Sequence, residues 1–310
     1  MATVIPSVGL MQKARIKTRI WLIEIRPKFL LVSVALALLG TSIAWWDGFF
    51  SLRYAVLGFI GLLLWQISVQ VLNDYFDYRS GVDLKTRRTP FSGGSGILSA
   101  HLLSTRSVLK LALLSFALAV PIWAYLVIVK GLLLLPLVGV GAVCVLLYTP
   151  VLTRWRLGEI SSGLGLGILP ILMFYFIQTG GYTTEAVVAS IPAGILLFNV
   201  HLLNEFPDVE ADKIGHRKTL PIVLGRAKGS WVYLAGTVAV YVWVVVWVAV
   251  GVMPLAALLS LVTIPLAFWA TRGALRYKDK ALFTSALWAN SLCLIFTIAL
   301  LASGYLLSRY

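Results

Sequence analysis

Charge is what this chain has least of: 12% of its 310 residues are charged and only twelve are acidic. Cysteine and histidine are equally scarce, with two of one and three of the other. Cys144 and Cys293 each fall in an apolar stretch with no second cysteine or histidine at ligand spacing, which excludes a disulfide framework and a zinc site of the Cys/His type. No Ser-His or Cys-His arrangement suggests a covalent nucleophile. Hydrophobic residues instead make up 60% of the chain, and the mean hydropathy is +0.92, both far outside soluble composition.

Uncharged stretches run over 29–46, 54–72, 111–129, 131–153, 160–184, 186–204, 229–271 and 281–308. The longest divides at Gly251, Met253 and Pro254, which gives nine segments near or above the roughly 18–20 apolar residues that cross a bilayer as a helix. We therefore expect an all-α fold: a polytopic bundle of nine transmembrane helices forming a single domain over 1–310, with a cytosolic lead at 1–28 and cytosolic loops at 73–108 and 204–228. The first apolar segment lacks a small-residue cleavage site, so it reads as a retained helix.

The net charge of +14 is unevenly placed. Alternating the loops between two faces puts 23 of the 26 lysines and arginines on the face holding the N-terminus, leaving Arg53, Lys130 and Arg309 on the other. This positive-inside pattern predicts a cytosolic N-terminus in a cell inner membrane and accounts for the charge by lipid headgroups, with no nucleic acid as partner.

The acids are more informative. Seven of the twelve, Asp74, Asp77, Asp83, Glu205, Asp208, Glu210 and Asp212, form two short clusters after the second and sixth segments, so both open on the same face. Leu72-Asn73-Asp74-Tyr75-Phe76-Asp77 and Leu203-Asn204-Glu205-Phe206-Pro207-Asp208 repeat a Leu-Asn-acid-aromatic-x-Asp pattern 131 residues apart. Asn and Asp four residues apart share one face of a helix, and Asp212 adds a further step of four. Pro207 disturbs that geometry in the second cluster. Converging hard oxygens repel one another unless a cation lies between them, which points to Mg²⁺ held by Asn73, Asp74, Asp77, Asp83, Asn204, Asp208 and Asp212. Mg²⁺ held by few carboxylates normally completes its shell with phosphate oxygens.

Basic residues accompany the acids: Lys85, Arg87 and Arg88 follow the first cluster, Lys213, Arg217 and Lys218 the second, and Arg154 and Arg156 close the fourth segment. A metal among cations fits a diphosphate. The glycine-rich stretch Thr89–Gly96 lies beside that site and suits a lid.

These residues resemble the UbiA superfamily of intramembrane prenyltransferases. Residues 73–83 and 208–212 look like its two aspartate-rich motifs. Arg26-Pro27, Tyr148-Thr149, Leu157-Gly158-Glu159 and the run Arg217–Gly225 follow in the family's order. The resemblance implies Mg²⁺-dependent transfer of a prenyl group from a polyprenyl diphosphate to an aromatic acceptor. It makes Asp77, Asp208, Arg154 and Lys218 the catalytic set, and Arg26, Asn73, Arg87, Arg88, Tyr148 and Asn204 the substrate-binding one. Gly81 with the third aspartate at Asp83 is similar to the menaquinone branch and favours 1,4-dihydroxy-2-naphthoate, with decarboxylation. 4-Hydroxybenzoate or another superfamily acceptor is the alternative, and a secondary transporter the remote one. Two departures stand out: Glu205-Phe206-Pro207 before Asp208, and Arg154 where the family often has lysine. His101 and His201 invite an acid–base role but are isolated, and His201, three residues before Asn204, reads as a hydrogen-bonded helix residue. Trp45, Trp46, Trp65, Trp155 and Trp269 read as interfacial anchors.

Overall fold

The computed structural model describes residues 10–309 apart from 87 and 90, and among the described residues every regular element is a helix. In chain order these are α1 (Leu10–Glu24), α2 (Pro27–Trp46), α3 (Leu52–Ser80), α4 (Val82–Lys85), α5 (Thr105–Lys130), α6 (Leu132–Leu152) and α7 (Gly158–Thr179). They continue with α8 (Thr184–Asn204), α9 (Val209–Ile214), α10 (Leu220–Leu224), α11 (Arg226–Ala249), α12 (Leu255–Leu275) and α13 (Lys280–Leu307). Nine of the described helices, α2, α3, α5–α8 and α11–α13, are long and apolar enough to cross a membrane. Helices close all their backbone hydrogen bonds internally, so this architecture suits a lipid solvent.

Local sequence sets the ends. Pro27 opens α2 with the ring's fixed φ, directly after Arg26 in the left-handed region at φ 48°. Gly81, at φ 82°, stops α3 and starts α4. The 43-residue apolar run breaks between α11 and α12, where Gly251 turns left-handed and Pro254 precedes a tightly wound first stretch of α12.

Packing divides the spans into centre and edge. In α7 and α8, 72% of the most apolar window is buried inside the protein; in α6 and α11 it is 22%. The central pair meets through glycines. A Cβ on Gly163 would lie 2.7 Å from the carbonyl oxygen of Gly194, and one on Gly167 2.7 Å from the Gly194 Cα. Small residues let backbones approach this closely, the usual device of membrane helices. Around the pair, one apolar group joins Leu36, Ile43, Leu197, Val240, Ile298 and Leu301, and another joins Trp65, Trp123, Leu126, Phe174, Phe176 and Ile177. Trp65 thus departs from the interfacial expectation. It is buried beside Trp123, with ring centroids 5.2 Å apart.

Candidate active site

Asn73, Asp74 and Asp77 of the first cluster share one helix, because α3 runs on through Ser80, and Asp83 follows in α4 after Gly81. Asn73 and Asp77 stack one turn apart, and the Asn73 carboxamide donates to Asp77 Oδ2 at 3.0 Å and to Thr149 Oγ1 at 3.2 Å. Thr149 sits in the last, widened turn of α6, where the Thr153 N–H reaches back five residues to the Tyr148 carbonyl. Such widened turns are often found at functional sites. Asp74, one position from Asn73, is rotated by about 100° to another side of the helix. There it pairs with Arg26 and accepts the Ser95 N–H at 2.7 Å. The structure therefore does not place Asp74 on the wall it was expected to share with Asp77: it ties the glycine-rich loop down, helped by Ser95 Oγ donating to Glu24 at 2.7 Å. Asp83 is buried in α4 against that loop, so close to Gly94 that a Cβ there would lie 2.7 Å from its Oδ2.

The second cluster is not one continuous helix. α8 ends at Asn204, a turn holding Pro207 follows, and α9 restarts after Asp208, where the Asp212 N–H bonds the Asp208 carbonyl at 2.8 Å. Asp208 and Asp212 keep their one-turn relation; the step from Asn204 to Asp208 is a bend.

Arg217 joins the two clusters. Its guanidinium pairs with Asp77 of the first and, at 3.0 Å, with Asp212 of the second. Lys218 and Arg154, expected in the catalytic set, are instead exposed and absent from the cavity wall. Arg88 is also exposed and donates to the Gly93 carbonyl. Arg87 lies outside the described residues.

Below this charged end lies a cavity of about 380 Å³. Asn73, Asp77, Asp83, Asn204, Asp208, Asp212, Arg217, Arg26 and Tyr148 border it. So do Val32, Leu36, Val69, Val145, Leu197 and Leu294, which give it an apolar floor. Two polar stripes run down into it: Gln66, Gln70, Asn73 and Asp77 on α3, and His201, Asn204 and Asp208 on and just beyond α8, where the position matching Gln66 is the apolar Leu197.

Burial, and next the neighbouring Asp212, push the Asp208 carboxyl up to about 7. Burial raises Asp212 to about 6 against the pull of Arg217, and raises Asp83 to about 6 with Asp77 adding to it. Glu205 is held well above the usual carboxylate range by burial and by Glu159 beside it. Burial opposes the charge of Arg217, but Asp77 and Asp212 outweigh it and hold the guanidinium firmly protonated.

These donors fit a hard divalent cation in kind. Asn204 Oδ1, Asp208 Oδ1 and Asp212 Oδ2 are buried oxygens with no hydrogen-bond partner, a costly condition that a cation relieves. Among the described residues, no three carboxylate, histidine or cysteine side chains already share one coordination sphere, and Arg217 carries the positive charge between the motifs.

The sequence profile of the UbiA prenyltransferase family matches residues 32–292. The chain belongs to this family. It is 30% identical over 92% of its length to the 1,4-dihydroxy-2-naphthoate octaprenyltransferase of Bacillus subtilis, covering 91% of that protein. It is 26% identical over 68% to the Escherichia coli protein of the same name, covering 70% of it. The fold is that of solved UbiA homologues. The apo structure from Aeropyrum pernix K1 superposes with a TM-score of 0.66 at 17% identity, over 91% of this chain and 98% of that one. The Archaeoglobus fulgidus homologue bound to GPP and Mg²⁺ gives 0.58 at 15%, over 91% and 99%. UbiA membership makes this an integral-membrane prenyltransferase and sets the transporter reading aside.

Within the UbiA frame, sequence reasoning ranked Lys218 above its neighbour Arg217, and it missed Gln66 and Gln70. A signal for the glutamines exists: Gln66, Gln70, Asn73 and Asp77 follow the i, i+4, i+7, i+11 spacing of one helix face in an otherwise apolar segment.

Proposed function

We propose that this chain transfers a polyprenyl group from its diphosphate to 1,4-dihydroxy-2-naphthoate, with loss of the ring carboxylate as CO₂, in menaquinone biosynthesis. One observation carries the reading: two aspartate motifs and Arg217 close one end of a cavity whose floor is apolar. A diphosphate suits the charged end and an isoprenoid tail suits the floor. The acceptor class follows from the names of the relatives, two of which are naphthoate octaprenyltransferases.

Asp77, Asp83, Asn204, Asp208 and Asp212 would hold Mg²⁺, which when bound supplies charge neutralisation for the leaving diphosphate. Arg217 and Arg26 bind the remaining phosphate charge, and Asn73 holds Asp77 in place through its 3.0 Å hydrogen bond. Valine and leucine side chains on the cavity wall keep water from the allylic carbon as positive charge develops there. Tyr148 adds an aromatic face to that wall. The distribution of basic residues supports a cytosolic placement of both motifs at a cell inner membrane.

The test supplies 1,4-dihydroxy-2-naphthoate and 4-hydroxybenzoate, each labelled in the carboxylate, with Mg²⁺ and one polyprenyl diphosphate. The expected result is label released as gas from the naphthoate in step with prenylation. Label retained in a prenylated benzoate, with the naphthoate inert, overturns the acceptor.

A further inference from the structure

We propose that His201 is the catalytic base of this reaction, its Nε2 taking the proton of the acceptor hydroxyl next to the ring carbon that is prenylated. The inference rests on the naphthoate reading above and deepens it.

His201 lines the cavity three residues before Asn204, one helical turn of about 5 Å below the charged end. It also holds a defined position in the repeat. The 131-residue offset that pairs Asn73 with Asn204 and Asp77 with Asp208 pairs Gln70 with His201, and both of these line the cavity. The ring is fixed. Nδ1 lies 3.2 Å from the Leu197 carbonyl oxygen and 2.5 Å from Ser162 Oγ. A carbonyl only accepts, so the Leu197 contact is a hydrogen bond in the tautomer with its hydrogen on Nδ1, and in that tautomer the neutral ring has its lone pair on Nε2. Nδ1 is thus committed to the helix backbone and to α7, while Nε2 makes no hydrogen bond among the described residues. The edge of the Tyr148 ring meets the imidazole with centroids 5.9 Å apart.

The chemistry requires such a group. As the ring carbon bearing the carboxylate bonds to the allylic carbon, the allylic carbon–oxygen bond breaks and the diphosphate leaves with the electron pair. The adjacent C–OH becomes C=O, and its proton passes to Nε2. The product is a β-keto carboxylate. Its C–CO₂ bond then breaks, the electrons return to the ring and leave an oxyanion, and the imidazolium gives the proton back. Prenylated naphthoquinol, CO₂ and diphosphate are formed, with no oxidant and no net proton change. Asp77 and Asp212 are paired with Arg217 and Asp74 with Arg26, while Asp83 and Asp208 belong to the set assigned to Mg²⁺ above. The titratable and charged groups around the imidazole are Tyr148 on α6, Glu159 on α7 and Glu205 just beyond the end of α8.

The experiment compares wild type, His201→Gln, His201→Ala and Ser162→Ala, with Mg²⁺, a polyprenyl diphosphate and the naphthoate, over about pH 6 to about pH 9. Both His201 variants are expected to lose about 10²-fold in kcat at neutral pH, within the span of general-base catalysis, with KM for the diphosphate unchanged. Their deficit narrows as pH rises, because the hydroxyl ionises without help. Ser162→Ala, which loosens Nδ1 alone, loses less. Wild-type kcat in His201→Gln, a deficit constant with pH, or a raised diphosphate KM overturns the proposal while naphthoate turnover by wild type keeps the acceptor reading. Wild type inert towards the naphthoate overturns both.

Discussion

Arg217 and Asp77 stand 140 residues apart in the chain, and their side chains form an ion pair in which both are largely buried. The pair, extended to Asp212, makes one unit of two motifs that belong to opposite halves of the sequence. Removing one partner of a buried pair leaves an uncompensated charge, which is strongly destabilising.

Asp77→Asn is expected to abolish prenyl transfer, with a loss on the order of 10²–10³ in kcat if the aspartate acts only by charge stabilisation. Asp208→Asn should behave similarly. Asp208→Asn should remain monodisperse in detergent, since it removes neither apolar packing nor an ion pair, whereas Asp77→Asn leaves Arg217 with Asp212 alone and should also melt at a lower temperature. Near-normal turnover by either one would count against the two-motif site.

Arg217→Gln should weaken both function and fold. Its transfer rate is expected to fall by about 10²-fold or more, and its melting temperature should drop. Lys218→Gln and Arg154→Gln lie on exposed side chains and should each change the rate by less than about tenfold, the scale of a screened surface charge. Titrating each variant with prenyl diphosphate ranks the three directly. A larger defect in Lys218→Gln than in Arg217→Gln would reverse the assignment.

The raised carboxyls predict a definite pH response. Asp208 near 7, with Asp212 and Asp83 near 6, all sit above the ordinary value of 3.8. The folded chain therefore holds protons that the unfolded chain has released, so stability declines as pH rises from about 4 and the decline is complete above about 8. Metal-free protein in detergent should melt at a lower temperature at pH 8 than at pH 6, and Mg²⁺ should narrow the gap. Since Mg²⁺ and protons compete for the same oxygens, its affinity should weaken on acidification across this window. A calorimetric titration at two pH values decides it; equal affinities would refute the competition.

Orientation is open to labelling. Cysteines introduced at Leu84 and His216 should react from the same side of the membrane, and one at Tyr182, in the turn between α7 and α8, from the other. All three positions are exposed. Cys144 and Cys293, half-buried and buried, give little background. Labelling of Leu84→Cys and His216→Cys from opposite faces would separate the motifs.

Much of this was legible in the sequence, for reasons that differ by residue. Nine spans follow from apolar length alone, and Gly251 and Pro254 mark the one division that length cannot. The Asn73–Asp77 contact follows from a spacing of four on an unbroken helix. Asn204–Asp208 has the same spacing, but Pro207 falls between them and the chain bends. Periodicity also does not choose between adjacent residues off a helix: Arg217 and Lys218 are separated only by which way the segment after α9 turns, and that depends on Lys218 N–H bonding the Thr153 carbonyl at 2.9 Å. Asp74, expected among the Mg²⁺ ligands, lies off the cavity wall beside Arg26 because a step of one along a helix changes its side.

The glycine contact between α7 and α8 sets the dimensional tolerance of the site. Ser162 is the neighbour of Gly163, and His201 stands two turns along α8 from Gly194, so the 2.5 Å reach between their side chains inherits the backbone spacing at that crossing. A single methyl group added at Gly163 would force the helices apart, and misplacement of about 1 Å can cost 10²-fold in rate. The accuracy of the imidazole is thus gauged by side chains that are missing, at a point that touches neither substrate.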